Sequence, residues 1–102
     1  MIAIFLDEAR EEMIEAARFY EERRTGLGQQ FLDIIEQAVA DVEAHPNRWP
    51  VLARNVRRRL VSKFPYGILF CVGREEIVIV AIMHLHRHPR YWTRRLRGLS
   101  GN

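Results

Sequence analysis

The apolar run at residues 77–83, IVIVAIM, constrains the fold more than any other feature, because it contains no polar position. A strand with one solvent-exposed face alternates apolar and polar residues, so this unbroken run predicts a central strand that is covered on both faces. Two other strand-forming segments precede it: residues 56–61 mix β-branched residues with three arginines, and residues 68–72 are apolar throughout. The polar segment 73–76 separates the last two strands as a hairpin turn. The chain therefore predicts consecutive strands that need cover from elsewhere in the sequence.

Two amphipathic helices ahead of these strands supply that cover. The first begins at Asp7, which is placed to cap it, and ends near Gly26. Its apolar stripe consists of Met13, Ala16, Ala17 and Tyr20. The second follows Gly28 and ends at residues 45–47. Its stripe consists of Phe31, Ile34, Ile35, Ala38, Val39 and Val42. Two such helices joined by a short glycine-containing turn predict an antiparallel hairpin.

The predicted fold class is α+β, with an N-terminal antiparallel helical hairpin packed on a small, mostly antiparallel twisted sheet and a short C-terminal helix. The predicted order is β-α-α-β-β-β-α in one domain over residues 1–102. The hairpin occupies about 7–45, the sheet about 51–86, and the C-terminal helix about 89–97, with Pro89 at its first position. Residues 1–6 are either an edge strand or a lead-in, and the tail at 98–102 is expected to fray.

Charge is divided sharply along the chain. Residues 1–46 carry eleven acidic and four basic side chains, whereas residues 47–102 carry twelve basic and two acidic ones. Fifteen of the sixteen basic residues are arginine, whose guanidinium group binds carboxylate and phosphate through two parallel hydrogen bonds. The basic half points to an anionic partner, either nucleic acid or an acidic protein segment; a solvated face without a partner is the alternative.

The remaining composition predicts a soluble cytoplasmic protein without a cofactor. The single Cys71 excludes an internal disulfide and fits a reducing compartment. No apolar run approaches the roughly 20 residues that span a bilayer, and the N-terminus lacks a basic start followed by an apolar signal core. Membrane association is therefore not expected.

The motifs, taken in order, resemble a known family. An acidic helical hairpin is followed by the loop PNRWP at residues 46–50, an arginine-rich strand, the element Phe64-Pro65-Tyr66 before an apolar strand, and the closing segment AIMHLHRHPRYW at 81–92. This set resembles the RelE/ParE superfamily of toxins from type II toxin-antitoxin systems, and most of all the ParE branch, often labelled plasmid stabilisation proteins. The resemblance covers residue 7 to about residue 95.

The resemblance implies a toxin that arrests growth and is held in check by a cognate antitoxin in a hetero-oligomer. Family antitoxins wrap the toxin with an acidic, partly disordered segment that folds on binding. The ParE-like members poison DNA gyrase, which is the function favoured here, by binding rather than by covalent chemistry. A toxin-like binding module without activity is a third possibility. The expected antitoxin- or target-binding residues are Arg57, Arg58, Arg59, Arg87, Arg90, Arg94 and Arg95.

The RelE-like members instead cleave messenger RNA on the ribosome, which leaves open whether this chain is an enzyme. Such cleavage needs cations beside the phosphate and groups that move protons. Arg87 falls where RNA-cleaving relatives carry a catalytic arginine, and Arg59 or Lys63 is a candidate for phosphate neutralisation. The candidates for proton transfer are Tyr66, His88 and Tyr91. The same relatives place a further arginine after the aromatic residue that starts the middle strand, where this chain has Gly67.

Several of these side chains also have purely structural interpretations. On a strand, Arg58 projects opposite to its two neighbours, and Tyr66 beside Pro65 fits packing at the strand start. His84, His86 and His88 alternate and would share one face of a strand, but no cysteine or carboxylate adjoins them, so no metal site is predicted. The two tryptophans, Trp49 and Trp92, are expected to cover the core rather than stack on bases.

Overall fold

The computed structural model describes residues 1–99, and the expected fraying of the tail lies outside that range for residues 100–102. In chain order the elements are β1 Ile2–Phe5, α1 Asp7–Arg23, α2 Leu27–Ala44, β2 Val51–Ala53, β3 Val56–Leu60, β4 Tyr66–Val72, β5 Glu76–His84 and a C-terminal 3₁₀ helix Thr93–Gly98. The predicted α+β class, with a helical hairpin packed on a sheet, is confirmed. None of the described helices is long and apolar enough to cross a membrane.

The turn between the helices is built on two glycines and one carboxylate. Gly26 takes a positive φ of 89°, a conformation that costs glycine little. Gly28 lies so close to α1 that a Cβ there would come within 2.4 Å of the carbonyl oxygen of Ala17. The carboxylate of Glu21 accepts the N–H groups of both glycines at 2.9 Å. Helix α1 has Leu6 as its N-cap, so the predicted cap, Asp7, is instead the first helical residue, where its charge favours the helix dipole.

The sheet is mixed, in the order β1-β5-β4-β3-β2. Strand β1 pairs parallel with β5, and the other three pairings are antiparallel. Residues 1–6 therefore contribute an edge strand rather than a lead-in. The short strand β2 lies where the sequence indicated only the end of a loop. Strand β5 has neighbours on both edges and is buried over most of its length, as its apolar run predicted.

A β-bulge in β5 sets which side chains face the helices. Leu69 pairs with Ala81 but Phe70 pairs with Ile79, so β5 carries one extra residue, Val80. The face toward the hairpin, here the helix-side face, packs Ile68, Phe70, Ile77, Ile79 and Ile82 against the predicted stripes of α1 and α2. The opposite or far face packs Val56, Leu69, Val80, Ala81 and Met83 against Trp92.

The predicted short C-terminal helix is present, but it begins at Thr93 rather than at about residue 89 and is a 3₁₀ helix rather than an α-helix. Residues 89–92 form turns, and a six-residue 3₁₀ helix follows at Thr93–Gly98. Side-chain contacts explain the difference, because Trp92 is fully buried in the far face and its Nε1 donates a hydrogen bond to the carbonyl oxygen of Pro89 at 2.8 Å. The segment is thus held by what its side chains contact rather than by a regular helical ladder.

Candidate functional site

A carboxylate on α1, Glu12, joins the C-terminal segment to the sheet. Strand β1 ends opposite Ile79, so β5 continues without a neighbour on that edge. There Glu12 accepts the N–H of Ile82 at 3.1 Å and two hydrogen bonds from Arg95 at 2.9 Å each. Arg95 in turn donates to the carbonyl oxygen of Val80 at 3.0 Å. Two charged side chains therefore satisfy backbone groups that a strand would otherwise pair.

Tyr91 belongs to the same network. Its hydroxyl donates to Glu12 Oε2 at 2.6 Å, and burial together with that carboxylate raises the pKa of Tyr91 above its usual value. The phenol therefore stays protonated as a donor. Arg95 and Glu12 are each 15% exposed. The structure thus gives Arg95 and Tyr91 an internal structural role, whereas the sequence interpretation placed them in a binding or catalytic site.

Arg87 lies at the open edge of the network. Its guanidinium stands 3.8 Å from the centre of the Tyr91 ring, and Nη1 is 3.8 Å from Glu12 Oε2. Its side chain keeps 53% exposure, so the ring supports the cation from one side and leaves the other to solvent. Among the predicted residues beside the Glu12 network, Arg87 is therefore available to a partner.

The histidines do not share a strand face. Only His84 lies within β5, and His86 and His88 follow in the turns beyond it. The Nδ1 atoms of His84 and His88 accept the backbone N–H groups of His86 and Arg90, at 3.0 and 3.1 Å. No group of three metal-ligating side chains is placed to hold an ion anywhere in residues 1–99. His88 and Arg90 are exposed in this turn.

The arginines of β3 divide as the strand pattern predicted. Arg57 and Arg59 face the helix side, where Arg57 donates to the carbonyl oxygen of Trp49 at 2.6 Å and Arg59 pairs with Asp41 of α2. The hydrogen bond from Arg59 holds the pKa of Asp41 below its usual value. Arg59 also stacks 4.8 Å from the Trp49 ring centre. Its charge is thus already matched within the fold.

Arg58 projects to the far face and lies across Gly67. A Cβ built on Gly67 would come within 3.2 Å of the Arg58 side chain, so the stem of Arg58 occupies that space. An arginine at position 67 would require Arg58 to move. The glycine at position 67, where RNA-cleaving relatives carry an arginine, therefore fits the local packing.

Tyr66 belongs to an aromatic cluster on the helix-side face. Its ring centre lies 5.0 Å from that of Phe31 and 5.0 Å from that of His84, while Phe64 lies 4.7 Å from Tyr20. Burial, with a contribution from Tyr20, raises the pKa of Tyr66 to about 12. The packing interpretation of Tyr66 is supported, and the neighbouring Lys63 is exposed in a turn with a positive φ of 68°.

The proposed ribonuclease residues therefore lie in three environments. Arg59 is paired with Asp41, Tyr66 and Lys63 lie around the start of β4, and Arg87, His88 and Tyr91 follow β5. Sequence reasoning missed Glu12 as the group that organises the third environment. The signal was its position, since Glu12 falls between Ala9 and Ala16 on the apolar stripe of α1, where a carboxylate needs a buried partner.

Comparisons with known proteins agree with this architecture. The sequence model described as the ParE toxin of the type II toxin-antitoxin system, parDE, matches residues 3–89. The chain is also similar to a solved structure titled "Chromosomal ParDE TA system from P. aeruginosa", with a TM-score of 0.62 and 17% identity over 84% of this chain and 97% of that one. At that identity the similarity concerns the fold. No curated protein gave a significant match.

Proposed function

Because the chain belongs to the ParE toxin family of type II toxin-antitoxin systems, we propose that it arrests bacterial growth by acting on DNA gyrase and is neutralised by a cognate antitoxin. The observation that carries this proposal is the family match over residues 3–89, which includes α1, α2, the strands β2 to β5 and all of β1 except its first residue. The similar solved structure is named as a ParDE toxin-antitoxin system, which supports a two-component assembly. The proposed site of action is the cytoplasm.

We propose inhibition by binding rather than by RNA cleavage. The two tyrosines that could move protons both have raised pKa values, and Tyr91 is engaged by Glu12. Arg59 is matched by Asp41. A phosphodiester cleavage site needs acid, base and cations around one phosphate, and the surroundings of these side chains give no support to that assembly.

Within the proposed toxin, Arg87 is the leading effector residue. It combines a charge supported on the Tyr91 ring with an exposed side, and it follows the buried strand β5 closely, so its backbone is well positioned. His88 and Arg90 extend the same exposed turn. An exposed cation that packs on an aromatic ring beside a strand end is a suitable contact for an acidic patch of a protein target.

The deciding experiment is inducible expression of the chain alone in a bacterial host, with incorporation of labelled thymidine and labelled methionine followed over the first minutes. Loss of thymidine incorporation first would support action on DNA replication, and a supercoiling assay with purified gyrase would then test the target directly. Loss of methionine incorporation first would favour the ribonuclease alternative. Unchanged growth, with folded protein present, would favour the inactive binding module.

A further inference from the structure

The far face of the sheet carries a groove that is open to solvent and has an apolar floor. It encloses about 1150 Å³ between the β1 edge, the turns before β3 and β5, and the C-terminal 3₁₀ helix. Along the floor, Ile2 is 72% exposed, Ile4 48% and Leu99 36%. Single exposed apolar residues are common on protein surfaces, but a contiguous apolar patch indicates an interaction site.

The rim of the groove is mainly cationic. Two arginines come from the 3₁₀ helix and two from the turns on the other side, and none of the four forms an ion pair with a carboxylate of residues 1–99. They are Arg94, Arg97, Arg54 and Arg74. Glu75 and Glu76, at the turn before β5, are the acidic residues of the lining. The groove therefore suits a surface that combines exposed apolar side chains with unpaired carboxylates.

The outer side of α1 is a surface of this kind. Glu8, Glu11 and Glu15 are exposed there at helical spacing, and none of them forms an ion pair within residues 1–99. Ile14 and Phe19 lie among and beyond them at 44% and 47% exposure. These five residues are called the outer patch of α1 below. The neighbouring α2 contains no basic residue, so the surroundings of the patch are also acidic.

The arginines of α1 leave the first turns of the outer patch negative. Arg10 already pairs with Asp7 at 3.6 Å. The guanidinium of Arg23 stands 4.5 Å from the centre of the Phe19 ring, toward the C-terminal end of the helix. Arg18 is the remaining basic residue of α1, and it follows the three glutamates. The acidic part of the patch is therefore the N-terminal half of α1.

The groove and the outer patch lie on opposite sides of the sheet. Helix α1 packs on the helix-side face, whereas the groove opens on the far face. A copy that inserts its outer patch into the groove of a second copy thus keeps its own groove free. Contacts of this head-to-tail type continue into rings or filaments. Because α1 is already folded on its sheet, such docking orders side chains but no further backbone.

Nucleic acid matches the groove less well. The rim arginines suit phosphate, but bases of single strands bind on aromatic side chains, and none lines the groove as described. The exposed isoleucines of the floor would then remain without an apolar counterpart. A second copy of the chain matches both the charge of the rim and the apolar floor.

We propose that the groove binds the outer patch of a second copy of this chain, so that the protein alone associates head to tail. The glutamates of the patch face the rim arginines, and Ile14 and Phe19 cover Ile2 and Ile4. The proposal does not depend on the proposed function, because it uses only these two surfaces. Growth arrest is measured separately, and a monomeric chain would leave the proposed function as it stands.

Sedimentation equilibrium of the purified, nuclease-treated chain tests the association. For a weak contact with a dissociation constant of about 10⁻⁴ M, the weight-average mass should rise at least about 1.5-fold between about 10 and 500 µM. The rise should be smaller in about 1 M salt than in about 0.1 M salt, because the screening length falls from about 10 Å to about 3 Å. A wild-type chain that stays monomeric throughout this range at low salt would overturn the proposal.

Two variants with one altered surface each identify the contact. The groove variant is Ile4→Ser/Arg94→Gln/Arg97→Gln. The patch variant is Glu11→Gln/Ile14→Ser/Glu15→Gln. Each variant alone should remain at the monomer mass, whereas their mixture should form a 1:1 dimer and nothing larger, since each retains one intact surface. The control Arg48→Gln/Val51→Ser/Arg90→Gln removes two exposed arginines and one exposed apolar side chain outside both surfaces, and should associate like wild type.

The remaining outcomes contradict the proposal in distinct ways. A folded groove variant that still associates would exclude the groove. A folded patch variant that still associates would mean that the groove meets a different surface of the second copy. Association that disappears on nuclease treatment would reassign the rim arginines to nucleic acid. Melting temperatures close to wild type establish that each variant is folded.

Discussion

The two faces of the sheet are closed by different means. Helices α1 and α2 cover the helix-side face with periodic apolar stripes, and their buried residues form one continuous cluster with the strands. The far face is covered by turns, a six-residue 3₁₀ helix and one large side chain, Trp92, which is fully buried. The packing that covers the helix-side face involves many residues. The packing that covers the far face depends on Trp92 and on the contacts between Glu12 and Arg95.

Because of this difference, the helix-side face contributes mainly to stability, whereas the far face keeps apolar surface that can bind a partner. A face covered by long helices has little apolar surface left for a partner, but a face covered by a short anchored segment keeps the exposed floor that includes Ile2 and Ile4. The far face is therefore where the sheet leaves apolar side chains exposed to solvent. Mutations that act on one face and not on the other test whether the two closures are as distinct as the structure indicates.

The largest effect is expected from Ile35→Asp on the helix-side face. Ile35 is 1% exposed, and an unpaired carboxylate buried there costs several kcal/mol, a large part of the roughly 5–15 kcal/mol that stabilises a domain. Thermal unfolding followed by circular dichroism should show no cooperative transition. Ile14→Asp, at a position 44% exposed, is the control and should melt close to wild type. An unchanged melting temperature for Ile35→Asp would contradict the assigned helix face.

Trp92→Ala tests the closure of the far face. Removal of a fully buried tryptophan costs about 3–5 kcal/mol and also removes its hydrogen bond to Pro89. Urea unfolding should show a lower midpoint while a folded state remains, because the helix-side cluster is intact. Trp92→Phe keeps most of the apolar volume and should lose less. A loss no larger than about 0.5 kcal/mol for Trp92→Ala would mean that the segment does not close this face.

Glu12→Gln tests the link between the two faces. The change leaves the Arg95 guanidinium, 15% exposed, without its counter-charge, for which we expect a loss of about 3 kcal/mol, the lower end for a broken buried pair. The double variant Glu12→Gln/Arg95→Met also removes the unpaired charge of Arg95. Its loss of unfolding free energy should be smaller than the sum of the losses in the two single variants. Strict additivity of the two unfolding free energies would show that the contact between Glu12 and Arg95 contributes nothing specific.

A smaller, pH-dependent effect is expected from Tyr66 on the helix-side face. Its pKa is raised from the ordinary 10.0 to about 12, mainly by burial, so the folded state holds the phenolic proton more tightly than the unfolded chain. This contribution is complete below pH 10 and is lost as the pH rises through about 12. Tyr66→Phe should therefore flatten part of the alkaline decline of stability. An identical decline in both proteins, measured by urea unfolding across that range, would contradict the assignment.

Sequence alone indicated the features that repeat locally. The stripes of α1 and α2 and the unbroken run of β5 follow from periodicity, and the structure confirms them. The far face had no such signal, because Glu12 and Arg95 are 83 positions apart and the bulge at Val80 leaves no mark on a wholly apolar run. The parallel pairing of β1 with β5 likewise joins segments that are far apart in the sequence. The ParE family assignment came from motif order, while the site residues remain predictions.

The smallest effect on stability is expected from Arg87→Ala, at a position where the far-face segment meets solvent. The Arg87 side chain is 53% exposed, and its Nη1 lies as far as 3.8 Å from the Glu12 carboxylate, so this ion pair is weak. Removing the side chain should therefore change the free energy of unfolding by less than about 1 kcal/mol. If Arg87 is the effector, the same variant should nevertheless abolish growth arrest on induction. Arg10→Ala, an arginine on α1 whose side chain is also 53% exposed, shows whether any loss of charge suffices. A folded Arg87→Ala protein that still arrests growth fully would remove Arg87 from the effector site.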